Sequence, residues 1–567
     1  MMHRSARTTK VLALAAVASL VVAACGSDDD GGDDAAATTP PATEAPDDAG
    51  DGGDGDDAGD DDAGDAGDDT GDSGDGAVPD DVDRDATLRV VGANAPQQLD
   101  PVRETSPCSE SMLGLMYDRL VRITPDAALV PGLAESWSAP DPQTFELTLR
   151  EGVEFQDGTP FDAEAVAAHL QRAKDLDGSV LAGNLSWVTE VEAVDERTVR
   201  LTLAEERAGL LPFLLSGRTG MVPSPTAVES EGDTYGSTSG TGAGPYEHVE
   251  NTPNDYIQLQ RWDGYWQPEV QLVADVEHFG FNSSFQVDRL QSGELNYVTI
   301  FDNQFPDVEA AGDDVESVVT PAPQFGELFI NFGAEPFDDV LVRQALNHAV
   351  DRDLMAEIVT GGAGTAAWGP LPEYTAFHNP DIVGLYPYDP DRARELLAEA
   401  GYEDGLTITA AFVGNPYYQV SAEALQPMLA ESGINLEIES VPPAEINNAL
   451  YVRQDYDAAV TAFLAPEEPG LALELKFGAT GANNPSQTVT PGLDDLLSEG
   501  ASEADPDARA AIYQEAEMLV MEEALSVPLY RNAGVSVFDP AVGNIERGYT
   551  TCMLGDFITP PVYVTED

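Results

Sequence analysis

The side chains that could do chemistry in this chain are few: three cysteines, six histidines and one glycine- and serine-rich stretch. Gly236-Ser237-Thr238-Ser239-Gly240 has the outline of a nucleophile elbow, but Thr238 stands where the attacking Ser belongs. Gly240-Thr241-Gly242-Ala243-Gly244 has the glycine content of a phosphate loop. Pro245 follows it, however, where a helix with its Lys would have to begin. His169, His248, His278, His348 and His378 stand far apart, with no His-Glu-x-x-His pair and no Cys to share a metal. Each reads as a surface or satisfied core histidine. Acidic pairs such as Glu467-Glu468 are too common in this composition to single out glycosidase carboxylates. The pattern argues against an enzyme, and no metal or cofactor is expected.

What surrounds these residues explains the composition. A basic start (Arg4, Arg7, Lys10) precedes an apolar run from Val11 to Ala24, which is the order of a secretory signal peptide and is short for a bilayer span. From Gly26 to Asp80 the chain carries twenty Asp and Glu44 but no Lys or Arg, with Val78 the only large aliphatic residue. Such a segment buries too little to offset its ordering entropy and reads as a disordered, self-repelling spacer. The whole chain carries −77 and the remaining 81–567 roughly −59, which excludes nucleic acid as a partner. Past the signal, lysine is confined to Lys174 and Lys476, a balance that fits salt adaptation and compositional drift equally. Of the cysteines, Cys108 and Cys552 are the two inside the folded body. In an oxidising compartment they suggest one disulfide between the chain ends, with two buried free thiols as the alternative.

The body alternates strand and helix signals, giving an α/β class with mixed sheets. Period-two alternation marks strands at Phe145–Arg150, Val199–Leu203, Ile257–Gln260 and Leu436–Glu439. Asp389-Pro390 and Asp505-Pro506 each place an N-cap before Pro at the first helical position. The first of these helices should stop at Gly401 and the second should run through Val520. A third helix starts near Asp162, and a fourth runs from Asp338 or Asp339 to Gly361-Gly362. Trp137 and Phe155 read as core aromatics, and Asp157-Gly158-Thr159-Pro160 as the turn that launches the Asp162 helix.

Two resemblances add to this. Val22-Ala23-Ala24-Cys25-Gly26 resembles the lipobox of bacterial lipoproteins, which implies lipidation of Cys25 and membrane anchoring outside the cytoplasm. Three blocks resemble the bacterial extracellular solute-binding proteins of family 5, the peptide and nickel receptors of ABC importers. The first runs from Leu99-Asp100-Pro101 through Pro131-Gly132-Leu133-Ala134-Glu135-Ser136-Trp137 to Phe155-Gln156-Asp157-Gly158-Thr159-Pro160-Phe161. The second is Gly240 to Tyr246. The third runs from Phe337-Asp338-Asp339-Val340 through Arg343-Gln344-Ala345-Leu346-Asn347-His348 to Tyr388-Asp389-Pro390-Asp391-Arg392-Ala393.

That resemblance implies a two-lobed periplasmic-binding-protein-like fold of type II with an extra subdomain and a two-strand hinge. Signal peptide 1–24 and spacer 25–85 would precede lobe one at 86–325 plus 529–567, with 126–234 inserted, and lobe two at 326–528. It implies a monomeric receptor that takes a peptide or small organic solute and passes it to permease subunits in the membrane. The loop Glu104-Thr105-Ser106-Pro107-Cys108 would line the cleft, with Tyr246 on the same lobe. Dipeptide receptors of the family hold the ligand's carboxylate with an Arg and its amine with an Asp. Here Asn415 stands where Arg is expected and Pro466 near the Asp position, with Glu467 as a substitute. The resemblance thus makes Thr105, Ser106, Pro107, Tyr246, Asn415, Tyr417, Tyr418, Phe463 and Glu467 the ligand-binding candidates, of which Asn415, Tyr417, Tyr418 and Phe463 would suit a larger, less charged solute. Membership of both chain ends in lobe one would let Cys108 meet Cys552. A secreted hydrolase and a protein-contacting signalling module on the same frame are the rival readings.

Overall fold

A computed structural model describes residues 78–566, except 93–94, 107–108, 125–126, 238, 281–284, 465–467 and 546–556. The signal, spacer and lipidation expectations, with Pro107, Glu467 and the Cys108–Cys552 pair, lie outside the described residues. Among the described residues no helix is long and apolar enough to cross a membrane.

After strand β1 (Thr87–Val91) the chain builds a four-stranded antiparallel sheet. Its strands are β2 (Ala134–Asp141), β3 (Thr144–Leu149), β4 (Val188–Ala193) and β5 (Thr198–Leu203), in the order β2-β3-β5-β4. Alternation sends Phe145, Leu147, Leu149, Val199, Leu201 and Leu203 to one face, where all are buried. Helix α1 (Ala163–Asp175) covers that face with Val166, Leu170 and Ala173, and Asp162 caps it by accepting from the Ala165 N–H at 2.9 Å. The launching turn forms as expected, with Asp157 accepting from the Thr159 N–H at 3.0 Å and Gly158 at φ 78°. Phe155 is fully buried, whereas Trp137 is half-buried at the rim of the same core.

A large mixed sheet carries the rest. In chain order come β6 (Tyr246–Thr252), β7 (Tyr256–Arg261), β8 (Asp275–Phe279), β9 (Tyr297–Ile300) and the long β10 (Glu316–Ile330). Helices α2 (Val340–His348), α3 (Arg352–Thr360) and α4 (Pro390–Glu399) follow. Next are β11 (Leu406–Val413), α5 (Pro416–Glu431), β12 (Ile434–Val441) and β13 (Ala458–Leu464). Helices α6 (Pro469–Phe477), α7 (Leu493–Ser502) and α8 (Pro506–Glu522) lead to the second long strand, β14 (Pro528–Phe538). The strand order is β12-β11-β13-β10-β14-β9-β1-β8-β7-β6. Helix α5 makes the crossover between parallel β11 and β12.

β10 and β14 run from one core to another. Glu316–Pro321 lie opposite Ala533–Phe538, the register slips between Pro321 and Phe325, and Phe325–Glu327 lie opposite Pro528–Tyr530–Arg531. Pro321 and Pro323 have no N–H to give the ladder, which accounts for the break. On one side of it β14 pairs with β9 over a small core of Val298, Ile300, Val535 and Val537. On the other, β10 pairs with β13 over the largest core, which extends from Leu328 to Tyr530 and takes in Phe213.

The capped helices start where the Asp-Pro pairs place them, and Gly401 takes φ 92° just past α4. The fourth helix is corrected: it is two. α2 ends at His348, and Asp351 starts α3 afresh by accepting from the Leu354 N–H at 3.1 Å. An Asp side chain gains more as a new N-cap than as an interior residue.

Candidate ligand site

The loop before Pro107 is built around one buried carboxylate. Glu104 accepts from the Gln98 N–H at 2.6 Å and the Ser106 N–H at 2.7 Å. Arg218 holds the Glu104 carbonyl and reaches the Glu110 carboxylate at 3.1 Å. This leaves Thr105 exposed and Ser106 half-buried. Tyr246 lies elsewhere, 3% exposed in a core with Leu88, Ile257 and Val276, its hydroxyl donating to the Val273 carbonyl at 3.2 Å. Burial pushes that phenol well up. It is placed as a core residue because the preceding glycines press it inward. A Cβ on Gly242 or Gly244 would come within 2.4 Å of a backbone carbonyl of α-helical Met116 or Leu115. The glycine-rich stretch is therefore a close-packing device.

Asn415, Tyr417 and Tyr418 share the first turn of α5. Asn415 is its N-cap, accepting from the Tyr418 N–H at 3.0 Å, with Pro416 at the first helical position. Tyr418 turns into the core, and burial pushes its phenol up to about 12. Tyr417 turns toward β14, where its hydroxyl donates to Asp302 at 3.3 Å and takes a hydrogen bond from Asn532 Nδ2. Asn532 also donates to Asp302 at 2.9 Å, and the Ala533 N–H reaches the same oxygen at 3.3 Å. Burial raises the Asp302 carboxyl above the usual range despite these donors.

Phe463, at the end of β13, is in a different environment. Its ring meets Phe325 edge-on at 6.0 Å and sits 4.8 Å from Lys476 Nζ. Lys476 is buried, clamped by both carboxylate oxygens of Glu327, and within 6.0 Å of the rings of Phe325, Phe329 and Phe477. Desolvation pushes its amine down, against the pull of Glu327. Glu468, one residue past Glu467, caps α6 and pairs with buried Arg509. The structure thus groups Asn415, Tyr417 and Tyr418 on one turn, and sets Phe463 and Tyr246 in two other clusters.

Three features escaped the sequence reading: Asp302 with Asn532, Glu327 with Lys476, and a bidentate pair between Arg207 and Glu474 at 2.6 and 3.0 Å. Lys476 carried a signal, being one of two lysines past the signal peptide. Asp302 is one acid among many and carried none. Among the described residues, no group of three His, Cys, Asp or Glu side chains could hold a metal ion. His278 is buried with neither ring nitrogen hydrogen-bonded, and burial pushes it down to about 4.

Residues 128–516 match the family model described as bacterial extracellular solute-binding proteins, family 5. The chain belongs to that family. The glutathione-binding protein GsiB of Shigella flexneri serotype 5b is 28% identical over 452 residues, covering 77% of this chain and 87% of GsiB. The fold matches the Escherichia coli murein tripeptide binding protein MppA with a TM-score of 0.66 at 22% identity, over 86% of this chain and all of MppA. It also matches the nickel ABC transporter structure from Bacillus halodurans with a TM-score of 0.70 at 24% identity, over 84% of this chain and all of that one. Family-5 members work outside the cytoplasm as the solute-binding components of ABC importers, and this chain has their two-lobed, mixed α/β architecture.

Proposed function

We propose that this family-5 protein is a monomeric, lipid-anchored receptor that captures a peptide or peptide-like solute between two lobes and delivers it to a membrane permease. Lobe one would comprise 86–325 and 529–567, with 126–234 inserted, and lobe two 326–528. Cys25 would carry the lipid and the acidic segment to residue 85 would act as tether. The observation that carries the reading is the pair of long strands β10 and β14, which pass between separate cores and lose register at Pro321–Phe325. A two-strand link of this kind is where hinge bending concentrates.

The peptide-like solute is supported by what GsiB and MppA are named for. Asn415 and Pro466, where dipeptide receptors carry charged residues, favour a ligand held by hydrogen bonds and stacking over a small zwitterion. Thr105 and Ser106 on one lobe and Tyr417 on the other are the half-buried or exposed side chains best placed to take part. Thermal unfolding with glutathione, trialanine and Ni²⁺ as probes tests the assignment. A ligand at a hundred times its Kd adds about 2.7 kcal/mol to stability, because only the folded state binds. Stabilisation by a peptide with no turnover is expected. Hydrolysis of the peptide without a stable complex, or stabilisation by Ni²⁺ alone, would overturn it.

A further inference from the structure

Among the described residues, the buried carboxylates of Asp100, Asp118, Glu327, Glu468, Glu517 and Glu104 are each answered by a basic side chain or by backbone N–H groups. Asp100 has Arg172, Asp118 has Arg122, Glu327 has Lys476, Glu468 has Arg509 and Glu517 has His378. Glu104 takes two backbone N–H groups. Asp302 differs in position and in company. It is 2% exposed, and among the described residues no Lys, Arg or His pairs with it. Its donors come from both proposed lobes: Tyr417 on α5 from lobe two, and from lobe one Asn532 and Ala533 on β14 with the neighbouring Asn303 N–H at 2.8 Å.

Asn532 supplies a second observation. Its Nδ2 serves Asp302 and Tyr417, while its Oδ1 is buried with no donor among the described residues. A protonated Asp302 brings an O–H donor to the amide whose Nδ2 it already meets at 2.9 Å, whereas an ionised one keeps in the interior a charge that no cation offsets. We propose that Asp302 is a proton-binding latch between the lobes, holding them closed most firmly when protonated. This rests on the two-lobe reading above and adds a regulation to it.

The sign follows from exposure. Opening moves Tyr417 away with its lobe and returns Asp302 to water, where its pKa takes the ordinary carboxylate value. Closing buries it and raises the value. The closed form therefore takes up a proton, and rising pH favours opening. The other ionisable groups facing it do not compete. Tyr417, Tyr418 and Tyr530 are tyrosines pushed upward and stay neutral. α3 packs on this segment with its Asp353 and Glu357 exposed and its buried Arg352 engaged by Asn347 and the Tyr386 carbonyl, and Asp307 and Glu309 are exposed on the helix that follows.

Hydrogen–deuterium exchange of the full chain, corrected for intrinsic rate, reads the latch at residues 299–304 and 415–421. Residues 204–211, which hold Arg207, read lobe contact independently. As pH rises from about 4, the ordinary Asp value, to about 8 the latch segments should lose protection, by up to about tenfold for each unit of pKa difference between closed and open forms. Asp302→Asn, neutral at every pH, should be equally protected at both. Tyr417→Phe should lower protection at about pH 4 in the latch segments and, because both report lobe opening, at 204–211 as well. The same pH response in wild type and Asp302→Asn, or none in wild type, overturns the latch while leaving the lobes intact. Loss of protection at 204–211 in every protein at both pH values overturns the closed two-lobe arrangement itself.

Discussion

At Lys476 a full charge is held inside a ring of four phenylalanines by one carboxylate, and the two cannot be removed independently. Transfer of either ion from water costs several kcal/mol, offset only by the mutual attraction and the ring faces. Lys476→Met therefore strands Glu327 beside Leu328 and Phe329, and is expected to cost about 3–5 kcal/mol in urea unfolding. The double change Lys476→Met with Glu327→Leu removes both charges and should recover most of that loss. If the double variant is as unstable as the sum of the two single changes, the pair is not coupled and the cage is held by packing alone. The ring of Phe463, which the family resemblance offers to a ligand, faces this internal pair, 4.8 Å from Lys476 Nζ.

The elements follow local rules where one rule acts alone. Asp162, Asp389 and Asp505 cap helices because Asp before an apolar stripe or Pro has one good conformation, and the strands alternate because one face is buried. Legibility failed where two local signals overlapped. The stretch from Asp339 to Gly361 satisfied one helix, but Asp351 offered a second cap in its middle. Asn415-Pro416 is the same start signal as Asp389-Pro390, yet the loop reading assigned Asn415 to ligand. Because its Oδ1 is engaged by the Tyr418 N–H, Asn415→Ala is expected to lower stability by about 1 kcal/mol. Asn415→Asp should keep it. A circular-dichroism melt of both variants checks this, and an unchanged melt for the alanine variant would return Asn415 to the cleft. The contacts across the long strands were not legible at all. Asp302 and Asn532 are 230 residues apart, and no periodicity reports such a meeting.

At the scale of the molecule, the segments assigned to different lobes meet, besides the contacts of Arg531 with Glu373 and Leu371, at two further sets of described side chains. One is Asp302 with Tyr417. The other is the Arg207–Glu474 fork, with Phe213 set edge-on to Phe377 at 5.7 Å and its ring 5.3 Å from the Arg509 guanidinium. Gly209 fits there because a Cβ would meet the Glu503 carbonyl at 2.2 Å. The apolar part of this second contact is buried and the ion pair is at its rim, so the two should contribute differently. A partly exposed bidentate pair is worth about 1 kcal/mol, which amounts to roughly a fivefold shift in an opening equilibrium. Arg207→Ala is therefore expected to speed hydrogen exchange at 470–478 by about that factor, and Glu474→Ala to speed exchange at 204–211 alike. The double variant should exchange no faster than either single one, since each change already removes the same interaction. Phe213→Ala should do more, by emptying a buried ring site worth about 3–5 kcal/mol. If Arg207→Ala leaves exchange unchanged while Phe213→Ala unfolds the chain, this face is a fixed part of the core, and opening about β10 and β14 takes place with residues 207–213 carried on lobe two.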